Sequence, residues 1–157
     1  MPRTPEVNAI DRAVKHAKDW IDGLDSRPVT ATVDIATLRA RLNAPLGEAG
    51  MDPAQVIDDL VAMTTGGHLG CASGRFFAWV IGGSLPSALA ADWLTSAWDQ
   101  NAALYACGPA AAVVEEVAGA WLKELLELPR DASFAFTTGC QLAHFTCLAA
   151  ARHSVLK

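Results

Sequence analysis

The sequence has few basic residues and no cluster of them. Its 12 Lys and Arg residues are outnumbered by 17 Asp and Glu, the net charge is −5, and the closest basic grouping is Arg39 and Arg41. A nucleic-acid-binding surface needs clustered Lys and Arg, so this class of function is not expected. The 4 cysteines form no C-x-x-C pair and have no histidine at zinc-finger spacing, which predicts reduced thiols and no metal site.

Long apolar runs are also absent. Charged residues are spread through residues 1–20, which leaves no signal-peptide core, and the longest uncharged stretch, 132–151, is too polar for a membrane span. We therefore expect a cytoplasmic protein that does not associate with membranes. Apolar and aromatic residues nevertheless make up 52% of the chain, and the mean hydropathy is +0.23. This richness predicts either a large core or apolar faces for a partner chain or for further residues of a longer protein.

Apolar residues at steps of three and four predict a mainly helical chain. The predicted helices cover about residues 5–24, 53–65, 86–101, 110–126 and 141–156, with a possible short helix over 37–42. Residues 68–83 are rich in glycine and aromatic residues, which indicates a structured loop.

The segment before the last predicted helix has a different pattern. Ser133–Thr137 is typical of a short strand, and Thr138-Gly139-Cys140 is typical of a turn. A strand, a small-residue turn and a helix form the start of an α/β layer. One strand cannot make a sheet, so its partners are expected beyond residue 157 or in another chain.

Two features of the sequence are compatible with ligand binding. The turn at 137–141 precedes a helix, where unpaired amides and the helix dipole favour an anion, so it predicts either a phosphate cradle or an ordinary strand-to-helix turn. The ordinary turn is the commoner structure. The aromatic, glycine-containing segment 75–86 predicts either a packed loop or the wall of a ligand pocket, and its spacing does not decide between them.

Three stretches of sequence, in this order, resemble one enzyme family. They are RFFAWVIGGSLPSALAADWLTSAWD over residues 75–99, a helix ending in WLKELLELP, and FTTGCQLAH over residues 136–144, followed by a helix ending in Ala-Ala-Arg. Their order and spacing resemble the group II pyridoxal-phosphate-dependent amino-acid decarboxylases, which include the aromatic-amino-acid, histidine and glutamate decarboxylases. The resemblance covers about residues 52–157. It departs at Ser73-Gly74, where relatives often have His-Pro.

The resemblance implies specific site residues and pyridoxal 5'-phosphate as the cofactor. The cofactor phosphate would be held at the turn by Thr138, Gly139, Cys140 and Gln141, although many relatives have a smaller or hydroxyl-bearing residue in place of Gln141. The substrate-side residues would be Trp79, Val80, Asn101 and Ala103.

The resemblance also implies a fold and an activity. The chain would be a mainly helical N-terminal fragment with the first strand–turn–helix of a fold-type I large domain. It would be divided into an N-terminal arm at 1–50, a helical segment with the substrate-side loop at 51–130, and the start of the cofactor-binding domain at 131–157. The parent enzyme would be a homodimer whose N-terminal arms wrap the partner subunit. It would release CO₂ from an L-amino acid through a Schiff base.

The residues that act on the cofactor ring lie downstream in relatives. The lysines of this chain show ordinary surface patterning or stand at its end; they are Lys15, Lys18, Lys123 and Lys157. The 157 residues are therefore expected to hold no catalytic residue and to be inactive and poorly soluble alone. Two alternatives stay open: another fold-type I enzyme, such as a carbon–carbon lyase or an aminotransferase, and a non-catalytic truncated dimerisation module.

Overall fold

The computed structural model describes residues 4–102 and 104–156, and within them it contains six α-helices and no β-strand. The helices are α1 (Pro5–Asp22), α2 (Ile35–Leu42), α3 (Pro53–Thr64), α4 (Pro86–Trp98), α5 (Pro109–Leu125) and α6 (Cys140–Val155). The mainly helical prediction is confirmed. The segment 132–137, predicted to contain a strand, has no regular secondary structure and no ladder partner among the described residues. The strand thus stays a prediction, because a strand is defined by pairing with a neighbour.

Local sequence signals explain where several helices begin. The side chains of Thr4, Asp34 and Asp52 each accept a hydrogen bond from a first-turn amide, at the N-termini of α1, α2 and α3. Proline opens α1, α3, α4 and α5, where its missing N–H costs no intrahelical bond. At the other end of α4, Asp99 has a φ of 48°, which stops the helix before residue 101.

The chain forms two compact units, Met1–Leu89 and Ala90–Lys157, and the boundary falls within α4. In the first unit α3 packs against both α1 and α2. Asp58 links α3 to α1. Its carboxylate lies 2.6 Å from Nε2 of His16 and 3.3 Å from Nε of Arg12, and both of these residues belong to α1. The side chains of His16 and Asp58 are half-buried, while that of Arg12 is exposed.

Aromatic and backbone contacts complete the first unit. The Arg27 guanidinium stacks 4.1 Å from the centre of the Trp20 ring, and the edge of His68 meets the same indole at 5.5 Å. Gly66 has a φ of +84°, and its carbonyl accepts the amide of Thr32 at 2.7 Å. A Cβ at Gly66 would lie 2.8 Å from Oγ1 of Thr32, so both the backbone angle and the close approach require glycine.

The second unit is held by contacts between α5 and the segment that follows it. The Phe134 ring lies directly on Gly119, which is buried, and a Cβ at Gly119 would overlap the ring. Phe134 and Phe136 meet edge to face at 5.6 Å. Nζ of Lys123 donates hydrogen bonds to the carbonyl oxygens of Arg130 and Ala132, at 2.8 and 3.0 Å.

Apolar side chains remain accessible in both units. None of the apolar residues described by the structure is buried, and Trp79, Leu85, Trp121 and Phe145 are each more than 60% exposed. Of the two outcomes that the composition predicted, the described residues show accessible apolar faces and no large core.

No helix in residues 4–102 and 104–156 has both the length and the apolar character needed to cross a bilayer. The division into three parts at residues 50 and 130 stays a prediction.

Candidate functional site

The predicted phosphate-binding turn lies at the start of α6. Gly139 is the N-cap residue and Cys140 is the first residue of the helix. The first backbone bond of the helix runs from the amide of Ala143 to the carbonyl of Gly139 at 3.1 Å. The three preceding amides, from Cys140 to Leu142, therefore have no partner within the helix, and no side chain caps them.

The turn borders an open depression of about 570 Å³, which is lined by Thr138, Gly139, Cys140, Gln141, Leu142 and Phe145. All four residues predicted to hold the cofactor phosphate are therefore brought together on one surface. The space beside Gly139 is open, because nothing lies within 4 Å of the position where a Cβ would be. An anion can thus approach the turn without displacing protein atoms.

The electrostatic character of this turn comes from the backbone. Aligned peptide dipoles place a partial positive charge at the N-terminus of a helix, where unpaired amides point outward. The side-chain contacts at the turn are local. The hydroxyl of Thr137 donates to the carbonyl oxygen of Gly139 at 3.2 Å, and Sγ of Cys140 lies 3.7 Å from Nε2 of His144, one turn along α6.

The predicted substrate-side residues are divided between the two units. Trp79 and Val80 belong to the first unit, where they are 72% and 105% exposed. Asn101 belongs to the second unit and is exposed, with its main-chain carbonyl close to Gly108. Ala103 lies outside the described residues.

The loop that carries Trp79 and Val80 has an unusual backbone. Their φ angles are 59° and 54°, and side chains rarely adopt this left-handed region, least of all β-branched ones. Each such residue costs of order 1–3 kcal/mol, and this strain is concentrated at functional sites. Phe76 meets the Trp79 ring at 6.1 Å, and Arg75 anchors the start of the loop through bonds from its guanidinium to two main-chain carbonyls after α1.

The structure corrects the sequence-based description of one lysine. The sequence predicted that Lys123 has ordinary surface patterning, but its ammonium group is partly buried and is held by two carbonyl oxygens. Nothing in the local spacing indicates this, because both acceptors are main-chain atoms seven and nine residues away. Among the described residues, no group of three or more His, Cys, Asp or Glu side chains is arranged to hold a metal ion.

Comparison with curated proteins identifies the relatives. Over 145 residues, 92% of the chain, it is 29% identical to an aromatic-L-amino-acid decarboxylase of Bacillus atrophaeus. Over 116 residues, 74% of the chain, it is 30% identical to the aromatic-L-amino-acid decarboxylases of Mus musculus and Rattus norvegicus. The chain is a homologue of the group II pyridoxal-phosphate-dependent decarboxylases.

The aligned region is only a small part of each relative. These alignments cover 30% of the Bacillus protein and 24% of each rodent protein, so the chain spans less than a third of the length of these relatives. No protein-family profile and no solved structure matches the chain. The resemblance read from the three sequence stretches is confirmed, and pyridoxal phosphate is the cofactor of the family.

Proposed function

We propose that this chain is the N-terminal part of a decarboxylase that uses pyridoxal phosphate to release CO₂ from an L-amino acid. The observation that carries the proposal is the start of α6, where three unpaired amides and an unobstructed Gly139 form an anion-binding turn. This turn lies where the family resemblance puts the cofactor phosphate. Aromatic L-amino acids are the first substrates to test, because the matched relatives carry that name.

The residues at the turn fit a phosphate group. The amides of Cys140, Gln141 and Leu142 would donate to its oxygens, and the hydroxyl of Thr138 is a further donor on the same surface. Gln141 contributes its amide without the hydroxyl that many relatives have at this position. When bound, the cofactor supplies an electron sink for the electron pair that CO₂ leaves behind.

The remaining described site residues would shape the substrate side. The exposed indole of Trp79, presented by a strained loop, offers an apolar surface to a substrate side chain. Asn101 and Ala103 would both belong to the segment that reaches the active site of the neighbouring subunit. No residue of this chain is assigned a proton-transfer role, since the groups that act on the cofactor ring belong to other parts of the proposed enzyme.

The proposed enzyme is a cytoplasmic homodimer of fold type I, in which residues 133–137 begin the large-domain sheet and the N-terminal arm wraps the partner subunit. The accessible apolar side chains of both units support an extensive subunit interface, because amphipathic helices gain stability by burying their apolar faces. The 157 residues alone are proposed to have no decarboxylase activity.

The cofactor assignment is tested by titrating the longer protein that contains this segment, ¹⁵N-labelled and freed of cofactor, with pyridoxal phosphate and, separately, with inorganic phosphate. We expect both ligands to shift the amide resonances of Gly139, Cys140 and Gln141, while pyridoxal without its phosphate leaves them unchanged. The assignment is wrong if no amide at the start of α6 responds to any phosphate-containing ligand.

The activity is tested on the longer protein that contains this segment. Purified protein is supplied with pyridoxal phosphate and individual L-amino acids, and CO₂ and the product amine are measured in equal amounts. Retro-aldol cleavage or amino-group transfer without CO₂ would instead indicate another reaction of the same cofactor class.

A further inference from the structure

The end of α5 is tied to the following segment by one lysine. Nζ of Lys123 donates to the carbonyl oxygens of Arg130 and Ala132, at 2.8 and 3.0 Å, so one cation holds two peptide groups of the segment that leads away from the helix. The chain reverses direction between the end of α5 and these two peptide groups, and Glu127 in this reversal has a φ of 54°. Hydrogen bonds that involve a charged donor are stronger than those between neutral groups.

A ring contact supports the same attachment. The Phe134 ring lies on the backbone of α5 at Gly119, where only a residue without a Cβ leaves room for it. The Lys123 ammonium lies 5.8 Å from the centre of this ring, within the range of a weak cation–π attraction. Lys123 and Gly119 are one helical turn apart, so both contacts act on the same face of α5.

The attached segment leads directly to the anion-binding turn. Phe134 meets Phe136 edge to face, and the adjacent Thr137 donates its hydroxyl to the carbonyl of Gly139. Within the described residues α5 and α6 do not pack against each other. The contacts of Lys123 and Phe134 are therefore what connects the turn back to α5.

From this arrangement we propose that Lys123 is a positioning residue for the cofactor phosphate. Its ammonium group fixes the course of residues 130–137, and this course sets the direction in which the amides at the start of α6 point. Lys123 does not touch the phosphate. The proposal rests on the proposed cofactor role of the turn, but its structural part can be measured without any ligand.

The test compares Lys123→Met, which keeps the length of the side chain and removes every donor, with Lys123→Arg, which keeps a cation able to donate to two carbonyls. Lys18→Met is the matched control, since Lys18 is an exposed helical lysine of the other unit. Far-UV circular dichroism confirms that each variant keeps its helices.

In the absence of ligand, Lys123→Met is expected to shift the amide resonances of residues 137–141. It should also speed hydrogen exchange at the Ala132 amide, which bonds to the carbonyl of Pro129. With pyridoxal phosphate the dissociation constant should rise about threefold to tenfold, as expected for the loss of one or two hydrogen bonds. Lys123→Arg should restore both properties, and the Lys18 control should change neither.

The outcomes separate the two proposals. Unchanged amide resonances at 137–141 in Lys123→Met overturn the positioning role, whatever the chain binds. If the wild-type turn does not respond to pyridoxal phosphate, the proposed cofactor site fails instead, and the ligand-free spectra still decide whether Lys123 sets the turn. A loss of stability that Lys123→Arg does not rescue would show that the lysine acts on the helix and not on the turn.

Discussion

Replacing Cys140 with proline should remove one phosphate donor from the start of α6 without removing a helical hydrogen bond. The Cys140 amide has no partner within the helix, because the first intrahelical bond begins at Ala143. Proline at a first helical position is well tolerated, and four other helices of this chain, α1, α3, α4 and α5, already begin with it. Gly139 has φ 160° and ψ 172°, an extended conformation that lies outside the α region disfavoured for a residue before proline.

The size of the effect follows from the number and strength of the donors. One of three unpaired amides is lost, and a hydrogen bond to a charged group contributes about 1.5–3 kcal/mol. The turn is exposed to solvent, so we expect the lower end of this range, which corresponds to roughly tenfold weaker binding of pyridoxal phosphate. The free energy of unfolding should change by less than about 0.5 kcal/mol, because no folded-state contact of the amide disappears.

Cys140→Ala is the necessary control. The proline variant loses the thiol as well as the amide proton, and this thiol lies 3.7 Å from the His144 ring. The alanine variant loses the thiol alone and should bind pyridoxal phosphate as tightly as the wild type. Isothermal titration of the three proteins, combined with urea denaturation, separates binding from stability. Equal affinity of the proline and alanine variants would refute the role of this amide in phosphate binding.

Three further predictions concern stability. Gly119→Ala should lower the free energy of unfolding by about 1–3 kcal/mol despite the higher helix propensity of alanine, because the new methyl overlaps the Phe134 ring; adding Phe134→Leu should recover part of this loss in urea denaturation. Asp58→Asn should lower the urea midpoint more than Asp59→Asn, since only Asp58 bonds to α1; equal effects would contradict the pairing. The pKa of Asp34 lies below its ordinary 3.8 because a backbone amide donates to its carboxylate. Its stabilising contribution should therefore be complete above pH 3.8 and lost as the pH falls through the lower folded-state value, and an NMR titration midpoint at or above 3.8 would contradict this.

Helix positions were predictable from the sequence because their signals are local. Apolar spacing, together with Asp52-Pro53 at the start of α3, gave bounds close to those observed. The helix predicted over 141–156 is observed as Cys140–Val155, and that predicted over 5–24 as Pro5–Asp22. The predicted end of α4 was three residues too late, because a left-handed residue such as Asp99 leaves no periodic trace in the sequence.

The contacts that shape the candidate site were not predictable in the same way. The turn at Gly139 was identified from residue types, and the unpaired amides follow from the start of a helix there. The attachment of Lys123 to two carbonyl oxygens depends on a reversal of the chain that no local pattern specifies. The strand predicted at 133–137 stays a prediction, because a strand is defined by a partner and residues 4–102 and 104–156 contain no strand to pair with it.

The contacts that could not be predicted share one physical cause, which is the low burial of the chain's apolar side chains. A helix whose apolar stripe stays accessible gains little from tertiary packing, so its stability within the described residues rests on caps and local bonds. The N-terminus of α6, like that of α5, has no side-chain cap, so its first amides gain stability from an external acceptor. Binding an anion there would supply the missing cap as well as hold the ligand. The phosphate of the cofactor should thus stabilise α6 itself, since a ligand that binds only the folded form shifts the equilibrium toward it.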